Sequence, residues 1–529
     1  MPAPLDVDVL IAGAGPIGMT AALELARRGI AVQLVDPVTD PPLYAKAVGV
    51  QPRTLEVFEN LGILRHILDA AIPMRGQYVY ADGELTGRLD LALPADIPFG
   101  FVLLPQYETE RVLREELGRR SVRIERGVAV GGFAQDDDGV TVTLSDGRSV
   151  RAGYLVGADG AHSVVRKGLG LGFDGAAFPD QYMLGDVEVD WSVPPGYAVR
   201  ATRTRDGRSD DVLVCIPLPG RGRYRMSMLV PEDLATAPSA ADGVEHGFEG
   251  SRKPELRHIQ AVLDRLAPEP VTARNLRWSS VFRISHRIVD RYGAGRVFVA
   301  GDAAHIHPPT GAQGMNTGIQ DANNLGWKLA LAVQGLAADG LLASYDAERR
   351  PVGEEVVGRT VRSARDGIGA DSDDPGYVMR REAQLLIRYD GSPIVSAPAG
   401  GRAPDARGLR RDVVTDPFRL FALFGAEHTL LLYAAAGSTP DDIAALESLA
   451  DAAVRAAHGR LEVYLVAAVP ADVAGSVLPV VHDADGDFAA RYDATRSSVF
   501  VVRPDGYLGF AAGEINPEPL LNHLQLTFG

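Results

Sequence analysis

The chain has 529 residues, 46% hydrophobic and 23% charged, more than one core usually supports, so several domains are expected. With 53 basic against 69 acidic residues its formal charge is −16, which argues against a nucleic-acid or anionic-membrane surface. Cys215 is the only cysteine, which excludes a disulfide framework, a thiolate metal cluster and a CxxC redox pair.

The N-terminal stretch has no basic n-region and enters a strand at once, and no apolar run approaches the ~18 residues of a membrane span. The expectation is a cytoplasmic protein without membrane or nucleic-acid partners. The stretch "DVDVLIAGAGPIGMTAALELARRG" then reads as a buried strand, a glycine turn and a helix. Gly13, Gly15 and Gly18 complete G-x-G-x-x-G, with Pro16 opening the helix. Such glycines permit a tight turn, the approach of a pyrophosphate and the packing of helix on strand. A second strand, "AVQLVD", ends in Asp36, the expected place for a carboxylate holding an unphosphorylated ribose.

Further along, residues 122–156 read as a strand meander with a turn at Asp146–Gly147, and the acid run Asp136–Asp138 as a solvated hairpin tip. A strand then leads into "GADGAHSVVR", with Asp159, Ser163 and Arg166; alone, this is an ordinary Asp-Gly turn. Four alternating strands follow between 176 and 285, forming a separate sheet. Cys215 lies in one of them as a packing residue. "RVFVAGDAAHIHPPTGAQGMN" supplies a third strand-to-loop junction, with Asp302 at its end and a proline-free helix over 314–333. His305 and His307 are two residues apart, yet lack further ligands at metal-binding spacing and are read as loop packing, so no metal is expected. A Pro/Gly/Ala-rich boundary over 391–408 precedes alternating β and α segments, which close in a hairpin turning at Asp505–Gly506.

Three glycine or aspartate junctions at strand ends imply an extended dinucleotide lying across one sheet. Together, GxGxxG, GADGxxSxxR and GDAAHxxxPxxGxGxN resemble the single-component (group A) FAD-dependent aromatic hydroxylases. The nearest subgroup contains phenol and polyketide hydroxylases, and the likeness spans nearly the whole chain. The resemblance implies an α/β fold: a Rossmann-like FAD-binding domain (1–175 and 286–390), an inserted β-sheet substrate domain (176–285) and a thioredoxin-like C-terminal domain (400–529). It implies that Asp302 holds the ribityl chain and that Pro309 and Gly311 lie in the flavin-facing loop. The amides around Gly314, Met315 and Asn316 would face the pyrimidine edge. Asp159 would serve both FAD and NAD(P)H, and Gln106 would begin a helix beside the flavin. The family commonly has an arginine where this chain has Lys46, which keeps the charge without the planar fork. Arg53 is either a further contact or a surface charge at a helix start. Inward-facing apolar residues of the inserted sheet, such as Met226, Met228 or Ile216, are candidates for the pocket lining or for plain core.

The activity so implied is hydroxylation of a phenolic or polycyclic aromatic substrate, using O₂ and NAD(P)H through a flavin hydroperoxide. FAD would be non-covalent, NAD(P)H a transient co-substrate without its own Rossmann unit, and the protein a monomer or homodimer. Baeyer–Villiger-type oxygen insertion and a catalytically silent flavin-binding protein are the alternatives.

Overall fold

The computed structural model describes residues 4–41, 46–205, 208–235, 243–244, 246–249, 253–366, 368, 372–471, 473 and 475–529. Val7–Ala12, the apolar run before the first glycine turn, is the middle of an eight-stranded sheet. Val9, Leu10 and Ile11 are fully buried, as befits a parallel strand covered on both faces. Ser149–Gly157 and Val32–Asp36 flank it in parallel, and Val297–Val299 and Ile124–Arg126 extend the parallel set on either side. The antiparallel hairpin Val130–Gln135/Val140–Leu144 attaches to Ser149–Gly157. Its tip carries exposed Asp136, which pairs with Arg151. Helix Gln313–Val333 packs on helix Pro16–Ala26 above this sheet.

A second sheet of nine strands contains all four segments read from the sequence. It also takes in the hairpin Gly76–Ala81/Glu84–Asp90, which lies between the first two nucleotide motifs in the chain. Its long strands Phe173–Glu188 and Arg274–Val289 reach beyond residues 176 and 285. Helix Leu256–Leu266 covers one face. There Met183, Leu213, Cys215, Met226 and Met228 meet Ile259, Val262 and Leu263 in one core. Met226 and Met228 are therefore core on the helix side and line no pocket. Ile216 faces the other way, against Val48 and Leu103. Strand alternation sorts residues into two faces but does not say which face meets a helix, and both faces here are apolar enough to pass for either.

The C-terminal unit has seven strands. His428–Ala434 pairs in parallel with Leu461–Ala468 and antiparallel with Ser498–Val502, which pairs in turn with Leu508–Ala512. Helix Pro440–Ala456 starts in a capping box made by Thr439 and Asp442, and helix Pro517–Leu524 is capped by Asn516. Both pack in one core with Trp327 and Leu331 of the long helix Gln313–Val333. The C-terminal unit is thus built onto that helix rather than tethered beside it.

Candidate active site

The three glycines of the first turn meet three different surroundings. Gly13 has φ +99°, and a Cβ there would overlap the carbonyl of Ala158. At Gly18 a Cβ would overlap the Gly13 carbonyl, so its absence lets helix Pro16–Ala26 close on the strand. Around Gly15 nothing lies within 4 Å of a Cβ position, and the space is open beside the helix N-terminus. A cradle that a side chain would fill, facing free helix amides, fits a pyrophosphate. Asp36 closes the turn from the next strand: it accepts from the Ala14 amide at 2.7 Å and the Val38 amide at 2.8 Å.

Ser149–Gly157 and Val297–Val299 end beside this turn because they are neighbouring parallel strands. Asp159 follows the first of them. Its carboxylate accepts from the Ser163 hydroxyl at 2.5 Å and from the Val164 and Val165 amides at 2.8 and 3.2 Å. Burial lifts this carboxyl above its usual range, with those hydrogen bonds opposing. Arg166, buried a turn later, donates to the Ala303 carbonyl at 3.3 Å and lies 3.9 Å over the Phe173 ring. It thereby fastens the second motif to the third, 137 residues away in the chain.

Asp302, half-buried at the end of Val297–Val299, has no hydrogen-bond partner among the described residues. After it the loop runs through Pro309, Gly311 (φ +72°) and Ala312 (φ +55°) before helix Gln313–Val333 begins, one residue earlier than the sequence reading. Two successive left-handed residues lead into the first helical turn, where the backbone amides of Gln313, Gly314 and Met315 meet no acceptor among the described residues. A helix of 21 residues with open N-terminal amides favours an anion. Asn316 is fully buried, and its side chain works inward. It donates to the Gly49 and Ala312 carbonyls at 3.0 and 2.6 Å and accepts from the Gln51 amide at 3.0 Å. A Cβ on Gly49 would come within 2.7 Å of Ala312, so glycine is required where the two segments cross.

Gln106 bridges the same neighbourhood: its side chain accepts from the Ala47 amide at 3.1 Å, while its own amide donates to the Ala47 carbonyl at 3.0 Å. Lys46, exposed at the rim, and Asp302 both act electrostatically on His246, a residue the sequence reading did not single out. Arg53 lies elsewhere. It is 3% exposed, donates to Glu56 at 2.6 Å and to the Asp505 carbonyl, and lies over the Tyr507 ring. The surface-charge alternative for Arg53 fails, because the start of helix Pro52–Asn60 is buried against the C-terminal hairpin.

Behind the loop stands a buried network with no local signature in the sequence. Asp321 accepts from the Gly301 amide at 3.1 Å, contacts His305 at 2.9 Å and accepts from Arg349 at 2.8 Å. Arg349 continues to Tyr389 and to the Thr317 carbonyl. His305 and His307 are both buried with their rings nearly parallel, and no trio of metal-binding side chains occurs among the described residues. Burial holds the imidazoles of His246, His307 and His523 down at about 4. In the unfolded chain such groups titrate near 6.5. Stability should therefore be lost as the pH falls from about 6.5 toward 4, since unfolding then takes up protons. Asp159 and Glu110, whose carboxyls burial raises, pull weakly the other way. Thermal melts at pH 7 and pH 5 check the sign.

A parallel sheet whose neighbouring strand ends carry a pyrophosphate cradle, an unpartnered carboxylate and an anion-favouring helix start defines a Rossmann-type FAD-binding flavoprotein. The chain belongs to the family described as "FAD binding domain", which matches residues 6–360. It is an FAD-dependent monooxygenase of the aromatic hydroxylase type. A flavin-dependent monooxygenase of Mycobacteroides abscessus is 34% identical over 526 residues, covering 95% of this chain and 96% of the relative. Rifampicin monooxygenase of Streptomyces venezuelae is 39% identical over 391 residues, 72% of this chain and 76% of that protein. Among solved structures, a ternary complex of aklavinone-11 hydroxylase with FAD and aklavinone superposes with a TM-score of 0.78. It is 26% identical, with 99% of each chain covered. Among the described residues no helix is long and apolar enough to cross a membrane.

Proposed function

We propose that the enzyme uses NAD(P)H and O₂ to hydroxylate a phenolic, polycyclic aromatic compound of polyketide type. The observation that carries this reading is the position of the second sheet. Strand Arg274–Val289 pairs through Arg287 and Ile288 with His305–Ile306, the start of the flavin-facing loop. The sheet face that carries Ile216 against Val48 and Leu103, turned away from helix Leu256–Leu266, is the one we take to roof that loop and to receive a flat ring system. Bound FAD would supply hydride acceptance from NAD(P)H and activation of O₂, so that one oxygen atom could enter the ring and the other leave as water.

The chain's own groups do the positioning. Gly15 admits the pyrophosphate, Asp36 receives a ribose hydroxyl and Asp302 the ribityl hydroxyls. Pro309 and Gly311 shape the loop, and the amides of Gln313, Gly314 and Met315 hold negative charge on the reduced pyrimidine edge. Lys46 and Gln106 stand at the rim, and Asp159 fixes the loop by capping. A nucleophilic side chain has no part in this scheme: Cys215 is buried on the helix side of the sheet, where burial pushes its thiol well up. Asp302→Ala would leave ribityl hydroxyls unpaired at about 1–3 kcal/mol. FAD affinity should then fall roughly five- to a hundredfold, as read by fluorescence titration.

We read the C-terminal unit as thioredoxin-like from its strand–helix–strand–strand–helix–strand–strand–helix order from His428 onward, in which Val480–Asp483 is one strand more than a thioredoxin core needs. Without a cysteine it is a structural element, and we take the protein as a monomer or homodimer. Product analysis after turnover of FAD-loaded enzyme with a phenolic and a ketone-bearing polycycle tests the function. A ring-hydroxylated product is expected. Oxygen inserted next to the ketone would favour the Baeyer–Villiger outcome, and FAD without substrate-stimulated NAD(P)H oxidation would overturn the enzyme reading.

A further inference from the structure

On the roofing sheet, Ile216, Arg225, Asp186 and Trp278 are register partners across four adjacent strands. Residues directly opposite one another share a face, so these four form one row. Ile216 packs against Val48 and Leu103, next to the segment that Asn316 holds, and the row therefore looks toward the flavin-facing loop. The neighbouring row, Cys215 to Met226 to Gly185, looks into the helix core on the other side.

The middle of the row is an ion pair in a dry place. The Arg225 and Asp186 side chains are 4% and 6% exposed. Nη2 of Arg225 donates to one carboxylate oxygen at 3.0 Å, and Nε donates to the other. The guanidinium carbon lies 5.1 Å from the centroid of the Trp278 ring. Arg225 and Asp186 cancel in charge, so the pair offers no excess positive charge to an anionic ligand. A carboxylate has about four lone-pair sites, and Arg225 uses two of those on Asp186. What remains is acceptor capacity at low dielectric beside an aromatic plane, which suits a hydroxyl donor on a ring system and repels a carboxylate.

We propose that Asp186, oriented by Arg225, receives a hydroxyl group of the aromatic substrate, and that this contact selects neutral phenolic polycycles over carboxylated ones. The proposal rests on the hydroxylase reading above and narrows its substrate class. Equilibrium dialysis of FAD-loaded enzyme against 2,6-dihydroxyanthraquinone and anthraquinone-2-carboxylate tests it. The wild type should bind the dihydroxy compound at least about tenfold more tightly. Asp186→Asn keeps the shape but removes the negative charge that faces Arg225, so the row gains net positive charge. It should weaken the dihydroxy compound about tenfold and tighten the carboxylate severalfold. The double variant Asp186→Leu/Arg225→Met removes both charges and guards against misfolding of the single one. It should lose the hydroxyl preference without gaining the carboxylate. Either variant with full FAD content and the wild-type ratio of affinities would overturn the proposal. Failure of the hydroxylase reading looks different: wild type binding neither ring system, which would sink both.

Discussion

Gly15→Val protein should purify folded but colourless. The Gly15 backbone, at φ −78° and ψ −176°, is open to any residue, and a Cβ meets nothing within 4 Å, so valine costs the empty fold little. Its methyl groups would stand where the pyrophosphate must approach the helix amides. FAD affinity should drop by at least about a hundredfold, about 3 kcal/mol. The neighbouring glycine provides the contrast. A side chain on Gly18 overlaps the Gly13 carbonyl, so Gly18→Val should lose stability before it loses flavin. Visible absorbance and far-ultraviolet circular dichroism of the two variants separate the cases. A yellow, fully loaded Gly15→Val protein would move the dinucleotide elsewhere.

That contrast marks how far the sequence reaches. G-x-G-x-x-G is local, and all three glycines act within one strand, one turn and one helix, so their types and spacing could be read directly. The same holds for Asp302 at a strand end and for the helix after Gly314. Asn316 was legible as a position but not as a role: its side chain binds Gly49 and Gln51, more than 260 residues away, and no spacing rule reports that. Met226 and Met228 went to the helix core because alternation leaves the two sheet faces unnamed. The buried charges were hidden most completely. Nothing local in the sequence singles out Asp321, Asn323, Asn324 and Lys328, yet all are 3% exposed or less.

The largest stability effect should come from that interior. Glu348 is fully buried and accepts from Arg503 at 2.6 and 2.8 Å, from Lys328 and Asn324 at 2.7 Å each, and from Ser392 at 2.6 Å. Asp505, which Arg503 and Asn324 also bind, completes the cluster. Lys328 and Asn324 belong to the helix whose first turn carries the open amides, and Arg503 and Asp505 to the C-terminal hairpin. One carboxylate thus ties that helix to the C-terminal unit. Against the cost of burial, the Arg503 and Lys328 charges hold the Glu348 carboxyl well below its usual range, so it is ionised at any working pH. Glu348→Ala would leave Lys328 buried without a carboxylate and Arg503 with Asp505 alone, at a cost of about 3–5 kcal/mol. The expected result is a lower melting temperature with early release of flavin, seen as rising FAD fluorescence before global unfolding. Removing the charges together tells strain from mere loss of contacts. Glu348→Leu combined with Lys328→Met removes one charge of each sign, leaves Arg503 paired with Asp505, and should recover much of the loss, because apolar side chains of similar volume replace a buried ion pair at little cost. A Glu348→Ala enzyme as stable as the wild type would mean that the C-terminal unit is held by its apolar contact with Trp327 and Leu331 and by the other polar links, such as Arg402 with Glu56, without need of this carboxylate.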